Sequence, residues 1–140
     1  MPFEFIEDIA IADVAFRAWG GSAEEVFAVS AAATLRVMVQ DLAAIVPRVE
    51  RAVRLEGADL ELLLFDFLQE FLYYKDAEGL LLLPSRVAIS PGFRLEASLW
   101  GEVLDPQRHE LLVDVKAVTM HLFSLTNNTQ GWKAQVVLDI

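Results

Sequence analysis

The chain has 140 residues, 55% of them apolar and 23% charged, and no cysteine. That length fits one compact domain spanning residues 1–140, and the composition excludes a disordered chain. The missing thiols exclude disulfides, thiolate zinc sites and cysteine nucleophiles. A formal net charge of −10, from 21 acidic and 11 basic side chains, repels a phosphate backbone, so no direct nucleic-acid binding is expected; a cation or a basic protein face suits it better.

In chain order, the opening "MPFEFIEDIA" shows no basic segment followed by an apolar one, so no signal peptide is expected. From Ile9 to Trp19 the residues alternate, with Ala12, Val14, Phe16 and Ala18 on one side and Asp13, Ala15, Arg17 and Trp19 on the other. That period of two predicts a strand. "GGS" breaks it, and Ser22 with Glu25 three residues on forms a capping box that opens a helix running to about Val39. Beyond Pro47, "RVERAVRL" alternates again and predicts a second, half-exposed strand. A second helix is expected from about Asp59, its cap, to Tyr74: Leu60, Leu63, Leu64, Phe67, Leu68 and Phe71 form its apolar stripe. Glu61, Asp66 and Glu70 read as its solvated side.

Four extended segments close the chain: "LLLLPSRVAI", "FRLEASLWGEVL", "VDVKAVTMHLFSL" and "WKAQVVLDI", separated by turn compositions such as "SPG" and "TNNTQG". Helices early and strands run together late predict an α+β fold, two helices packed on a mostly antiparallel β-sheet. No apolar stretch approaches the roughly 20 residues that span a bilayer, so a cytoplasmic protein without membrane contact is expected.

Chemistry-bearing residues are few. The two histidines form no zinc-binding pair, and there is no Gly-rich phosphate loop or nucleophile elbow. Asp13 stands among apolar neighbours; it either faces solvent or, if buried, needs a partner or a metal. Asp139 poses the same alternative, one residue before the carboxylate of Ile140. Together these groups would make a hard-oxygen site for Ca²⁺ or Mg²⁺. Lys116 reads as exposed beside Asp114, and His121, on the opposite face by parity, as hydrogen-bonded in or at the rim of the core. His109, within "LDPQRHE", reads as a surface histidine, and Trp19, Trp100 and Trp132 as sheet-face or core packing.

In this order the motifs resemble the archease family nearly end to end. They are Ala12-Asp13 with "VAFRAWG", "EEVF" at Glu24 to Phe27, "EGADLELLLFDFLQEFLY", "GEVLDPQRHE", "DVKAVTMH" and the terminal "WKAQVVLDI". The resemblance implies a non-catalytic metal site made by Asp13, Asp139 and the α-carboxylate of Ile140, with Lys116 and His121 as partner-contacting or supporting residues. It implies a divalent ion, Ca²⁺ or Mg²⁺ with Mn²⁺ as a further candidate. It implies an RtcB-type, GTP-dependent RNA ligase as the partner, activated for guanylylation and repeated turnover in tRNA splicing or RNA repair. The chain departs from the commoner family form at Ala10 and Ile11, which replace a His-Thr pair, and at Met120, which replaces a tyrosine. A binding or chaperone-like module of the same fold is therefore the alternative. An independent hydrolase using Asp13, Lys116 and His121 lacks any pocket signature.

Overall fold

In a computed structural model, which describes residues 2–6 and 13–140, the chain forms two antiparallel sheets and two helices. The first sheet has the order β1-β2-β7-β6, from β1 (Phe3–Ile6), β2 (Asp13–Gly20), β7 (Gly131–Asp139) and β6 (Ala117–Asn128). The second has the order β3-β5-β4, from β3 (Val49–Glu56), β5 (Arg94–Val103) and β4 (Leu80–Ser90). The α+β class and both helices are as the sequence predicts, and the strands are shared between two sheets. Strand β1 is additional to the strands the sequence predicts; its four residues pair with β2 from Phe3↔Ala18 to Ile6↔Ala15. The expected strand start at Ile9 to Ala12, and the Ala10-Ile11 substitution, lie outside the described residues.

Helix α1 (Ala23–Met38) begins where the capping box places it. Ser22 Oγ accepts from the Glu25 N–H at 3.1 Å, and Glu25 Oε2 accepts from the Gly21 N–H at 3.1 Å. Its run of alanines keeps it slim, and it is buried on nearly all sides, touching β2 and β7 of one sheet and β4 of the other. A helix apolar all round needs such enclosure. Helix α2 (Leu60–Glu78) is capped by Asp59, whose Oδ1 accepts from the Leu62 N–H at 2.8 Å, and ends at Gly79 in the left-handed conformation. It buries Leu63, Leu64, Phe67, Leu68, Phe71 and Leu72, each worth roughly 1.5–3 kcal/mol when fully withdrawn from water. Glu61 is more than solvated surface: its Oε2 accepts from the Leu125 N–H of β6 at 3.2 Å, fastening α2 to the first sheet.

Pro84 falls on β4, an edge strand, beside the register shift between Pro84 and Arg86, where its missing N–H does least harm. Gly101, in the central strand β5, is pressed by its neighbour: a Cβ there would lie 1.7 Å from the Leu81 carbonyl oxygen. No helix among the described residues is long and apolar enough to cross a membrane, which says nothing of β-barrels.

Gly101→Ala is expected to force β4 and β5 apart. The cost is about 1–3 kcal/mol, read as a lower urea midpoint at unchanged m value.

Candidate metal centre and its supporting loop

Strand β2 runs antiparallel to β7 without interruption from Asp13↔Asp139 to Gly20↔Trp132. Val14, Phe16 and Ala18 meet Leu138, Val136 and Ala134 on one face and contribute to the core. The alternate face begins with Asp13 opposite Asp139, and continues with Ala15 opposite Val137 and Arg17 opposite Gln135. Direct cross-strand partners hold their Cβ atoms about 4.5–5.5 Å apart on the same face, so the two carboxylates project side by side. Both residues are half-buried, as is Ile140, which follows directly. On the other side of β7, Ala117 of β6 stands opposite Asp139, and the Lys116 N–H donates to the Asp139 carbonyl at 2.8 Å.

Lys116 is exposed, as expected, while Asp114 turns to another partner. That partner is Lys75 of α2, a buried lysine whose ammonium is held by Asp114, by Asp76 Oδ1 at 3.0 Å and by the Val115 carbonyl at 2.9 Å. His121 departs from its expected place at the core rim: it is exposed. Parity fails there because the β6–β7 register shifts between Thr119 and Ser124, and the extra residues leave the ladder.

His109 also differs from the surface residue expected, being 1% exposed. It closes a polar cluster built on Glu102, itself 4% exposed. The Asp105 N–H donates to His109 Nδ1 at 2.9 Å, so the ring proton sits on Nε2 and is donated to Glu102 Oε2 at 3.0 Å. The same carboxylate oxygen accepts from the Val46 N–H at 2.8 Å, and Oε1 is held by Arg108, with Arg48 Nε at 3.6 Å. The Arg108 guanidinium and the Val46 N–H hold the Glu102 carboxyl down to about 2, and Glu102 in turn raises Arg108. With every acceptor direction engaged, Glu102 fastens the 105–109 turn and is not free for proton transfer. Strand parity puts Glu102 outward with Glu96 and Trp100; it is buried because that turn folds over it. An open cleft of about 470 Å³ lies here, lined by Arg48, Val103, Leu104, Pro106 and Arg108 among others, away from the Asp13–Asp139 pair.

From His109 the chain is laid along the helices. The Gln40 N–H donates to the Glu110 carbonyl at 2.9 Å, the Leu112 N–H to the Met38 carbonyl at 2.8 Å, and the Lys75 ammonium to the Val115 carbonyl. The connection thus delivers Lys116 to Asp139. Among the described residues no three His, Asp or Glu side chains converge on one point, so the side chains at this edge supply two carboxylates and further oxygens must come from elsewhere. Two hard oxygen donors without nitrogen or sulfur suit Ca²⁺ or Mg²⁺ and not zinc.

A model of the Archease protein family matches residues 3–140. The chain is 41% identical over 137 residues to protein archease of Pyrococcus abyssi, covering 92% of this chain and 93% of that one. It is 35% identical over 143 residues to protein archease of Methanopyrus kandleri, end to end in both. Among solved structures, the solution structure of Methanobacterium thermoautotrophicum protein 1598 matches with a TM-score of 0.83 and 33% identity, covering 99% of this chain and 98% of that one. The crystal structure of an archease from Thermotoga maritima, described as a possible chaperone, shares the fold with a TM-score of 0.68 at 21% identity, covering 94% and 93%.

Glu102 yields a pH prediction. Its carboxyl lies at about 2 in the folded chain against an ordinary 4.5, so its contribution to stability is complete above 4.5 and is lost as pH falls toward 2. Glu102→Gln should therefore melt below the unmodified protein at neutral pH. The gap in Tm should close between about pH 5 and pH 2.

Proposed function

The chain belongs to the archease family, and we propose that it is a non-catalytic, metal-binding activator of an RtcB-type, GTP-dependent RNA ligase, acting in the cytoplasm in tRNA splicing or RNA repair. The observation that carries this reading is the pairing of Asp13 with Asp139 at the end of β2 and β7, on one face and next to Ile140. Like charges directly opposite in a sheet repel, and a divalent cation between them turns that cost into binding energy. Asp13 and Asp139 would hold the ion with the α-carboxylate of Ile140 as a third donor. Ca²⁺ takes six to eight oxygens, so this set leaves positions for water or for groups of the partner. Affinity is then modest in the free protein and higher in the complex.

When bound, the ion supplies positive charge at an otherwise acidic edge, where phosphate or carboxylate oxygens of the ligase centre can be met. The chain's own residues hold that edge in place: Lys116 through its N–H to the Asp139 carbonyl, and Lys75 through the segment before it. The exposed Lys116 ammonium and His121 stand nearby as contacts for the partner. A chaperone-like role, after the description of the Thermotoga relative, is the second reading; it requires no metal.

Added to an RtcB-type ligase with GTP and metal, the protein is expected to raise the rate of guanylylation and to permit repeated turnover; no increase overturns the proposal. In titration calorimetry Asp13→Asn should lose Ca²⁺ binding, and stimulation should fall with it. The variant should still fold, because the substitution removes a repulsion. Saturating Ca²⁺ at about 100 times its Kd should stabilise the unmodified protein by about 2.7 kcal/mol and leave Asp13→Asn unmoved. Two residues appended after Ile140 convert its carboxylate to a peptide carbonyl and should abolish stimulation at unchanged Tm.

A further inference from the structure

Strand β6 lies at the edge of the first sheet, and its ladder with β7 breaks between Thr119 and Ser124. Met120, His121, Leu122 and Phe123 there face only Val136 across the ladder. Phe123 turns back into the core, 8% exposed, with its ring edge-on to Phe65 at 5.5 Å. The other end is tied by Thr119 Oγ1, which donates to the Val137 carbonyl at 3.1 Å. In between, Met120 and Leu122 stand 53% and 50% exposed, on either side of the exposed His121. Leu122 has φ +54, a left-handed conformation uncommon for a residue with a side chain, and its carbonyl is held by Gln135 Nε2 at 3.0 Å. Phe123 apart, a bulge anchored at both ends, strained in the middle and presenting two large apolar side chains to water does nothing for the core.

Its position gives it a use. Thr119 stands opposite Val137, two residues from Asp139 on β7. The bulge therefore begins about 7 Å along the strand and one strand spacing, about 4.8 Å, across from the carboxylate pair. A stable protein interface covers about 800 Å² per partner, a patch roughly 16 Å in radius. A partner footprint of that size centred on the Asp13–Asp139 edge therefore reaches as far as the bulge. We propose that Met120 and Leu122 form the apolar part of that docking surface, and that its occupant is the ligase that receives the acidic edge: a protein face with a cationic, metal-holding cleft bordered by an apolar rim. This rests on the function proposed above. Charge complementarity selects that occupant over a second copy of this chain, because two copies would bring two acidic edges, in a molecule of net charge −10, against each other.

The test is the double variant Met120→Ala/Leu122→Gly, beside Leu122→Gly alone. Glycine adopts φ +54 freely, so Leu122→Gly should keep or raise Tm while removing the apolar contact. Ca²⁺ affinity by calorimetry should be unchanged. The concentration of the double variant needed for half-maximal ligase stimulation should rise about tenfold or more, with Leu122→Gly intermediate. A half-maximal concentration equal to that of the unmodified protein overturns the docking surface and leaves the activator function standing. An unmodified protein that gives no stimulation at all removes both. Light scattering that shows a dimer of the unmodified chain, dissolved by the double variant, also overturns the proposal, by assigning the bulge to self-association.

Discussion

The register between β2 and β7 is the constraint on which the candidate site depends. A strand has a side-chain period of two, so a slip of one residue would take either Phe16 and Ala18 of β2 or Val136 and Leu138 of β7 off the core face. Those residues are almost completely withdrawn from water, and their burial fixes the pairing far more strongly than anything at the strand ends. Asp13 and Asp139 are brought together by packing several residues away. The repulsion between them is small against that packing: two unit charges about 5 Å apart cost roughly 0.8 kcal/mol in water and about 3 kcal/mol at an effective dielectric of 20. The core can hold such a pair in place without help from an ion, as the proposed cation site would require.

The second requirement is that β7 keeps its far neighbour, and here polar chemistry does what hydrophobic packing does elsewhere. The stretch from Asp105 to Lys116 contains almost no regular structure, yet it carries the chain from the end of β5 to the flank of Asp139. Glu102 gathers Arg108, His109 and the Val46 N–H, and so fixes the start of that stretch. Lys75 fixes its end from the last turn of α2. Charges buried in this way need every partner in place, and are weak sources of net stability but strict about geometry. That strictness is useful where an irregular segment must arrive at one atom, the Asp139 carbonyl.

The sequence displayed the helices best, because both are signalled twice. Ser22 with Glu25, and Asp59, mark the starts, and apolar spacing marks the length, although α2 runs past the expected Tyr74 to Glu78. It displayed the carboxylate pair only through family resemblance, since nothing local to Asp13 reveals that Asp139 lies opposite it, 126 residues on. The burial of His109, and of Glu102 beneath it, escapes the sequence for a related reason. Their burial is created by a turn folding over an outward position of β5, which periodicity cannot express. His121 fails differently: parity is valid only while the ladder is continuous, and the β6 bulge interrupts it just before that residue. The division of the strands into two sheets likewise follows from how α1 is enclosed, and an alanine-rich helix buried on nearly all sides is the one sequence-level hint of it.

The same molecule therefore separates two kinds of recognition. In the proposed function, net negative charge would act at a distance, opposing a phosphate backbone and speeding approach to a cationic cleft. Charge chiefly governs encounter, whereas the lifetime of a complex is set by desolvated contacts. An edge offering only Asp13 and Asp139 would meet such a cleft quickly and leave it quickly. In the proposed docking surface the apolar side chains of Met120 and Leu122, held out from the adjacent strand, would supply the contact that charge cannot. The activator role proposed above would need this balance, since an activator must arrive, act and leave. An acidic tip beside an apolar contact of only two residues would, in that role, suit brief, repeated engagement more than a permanent complex.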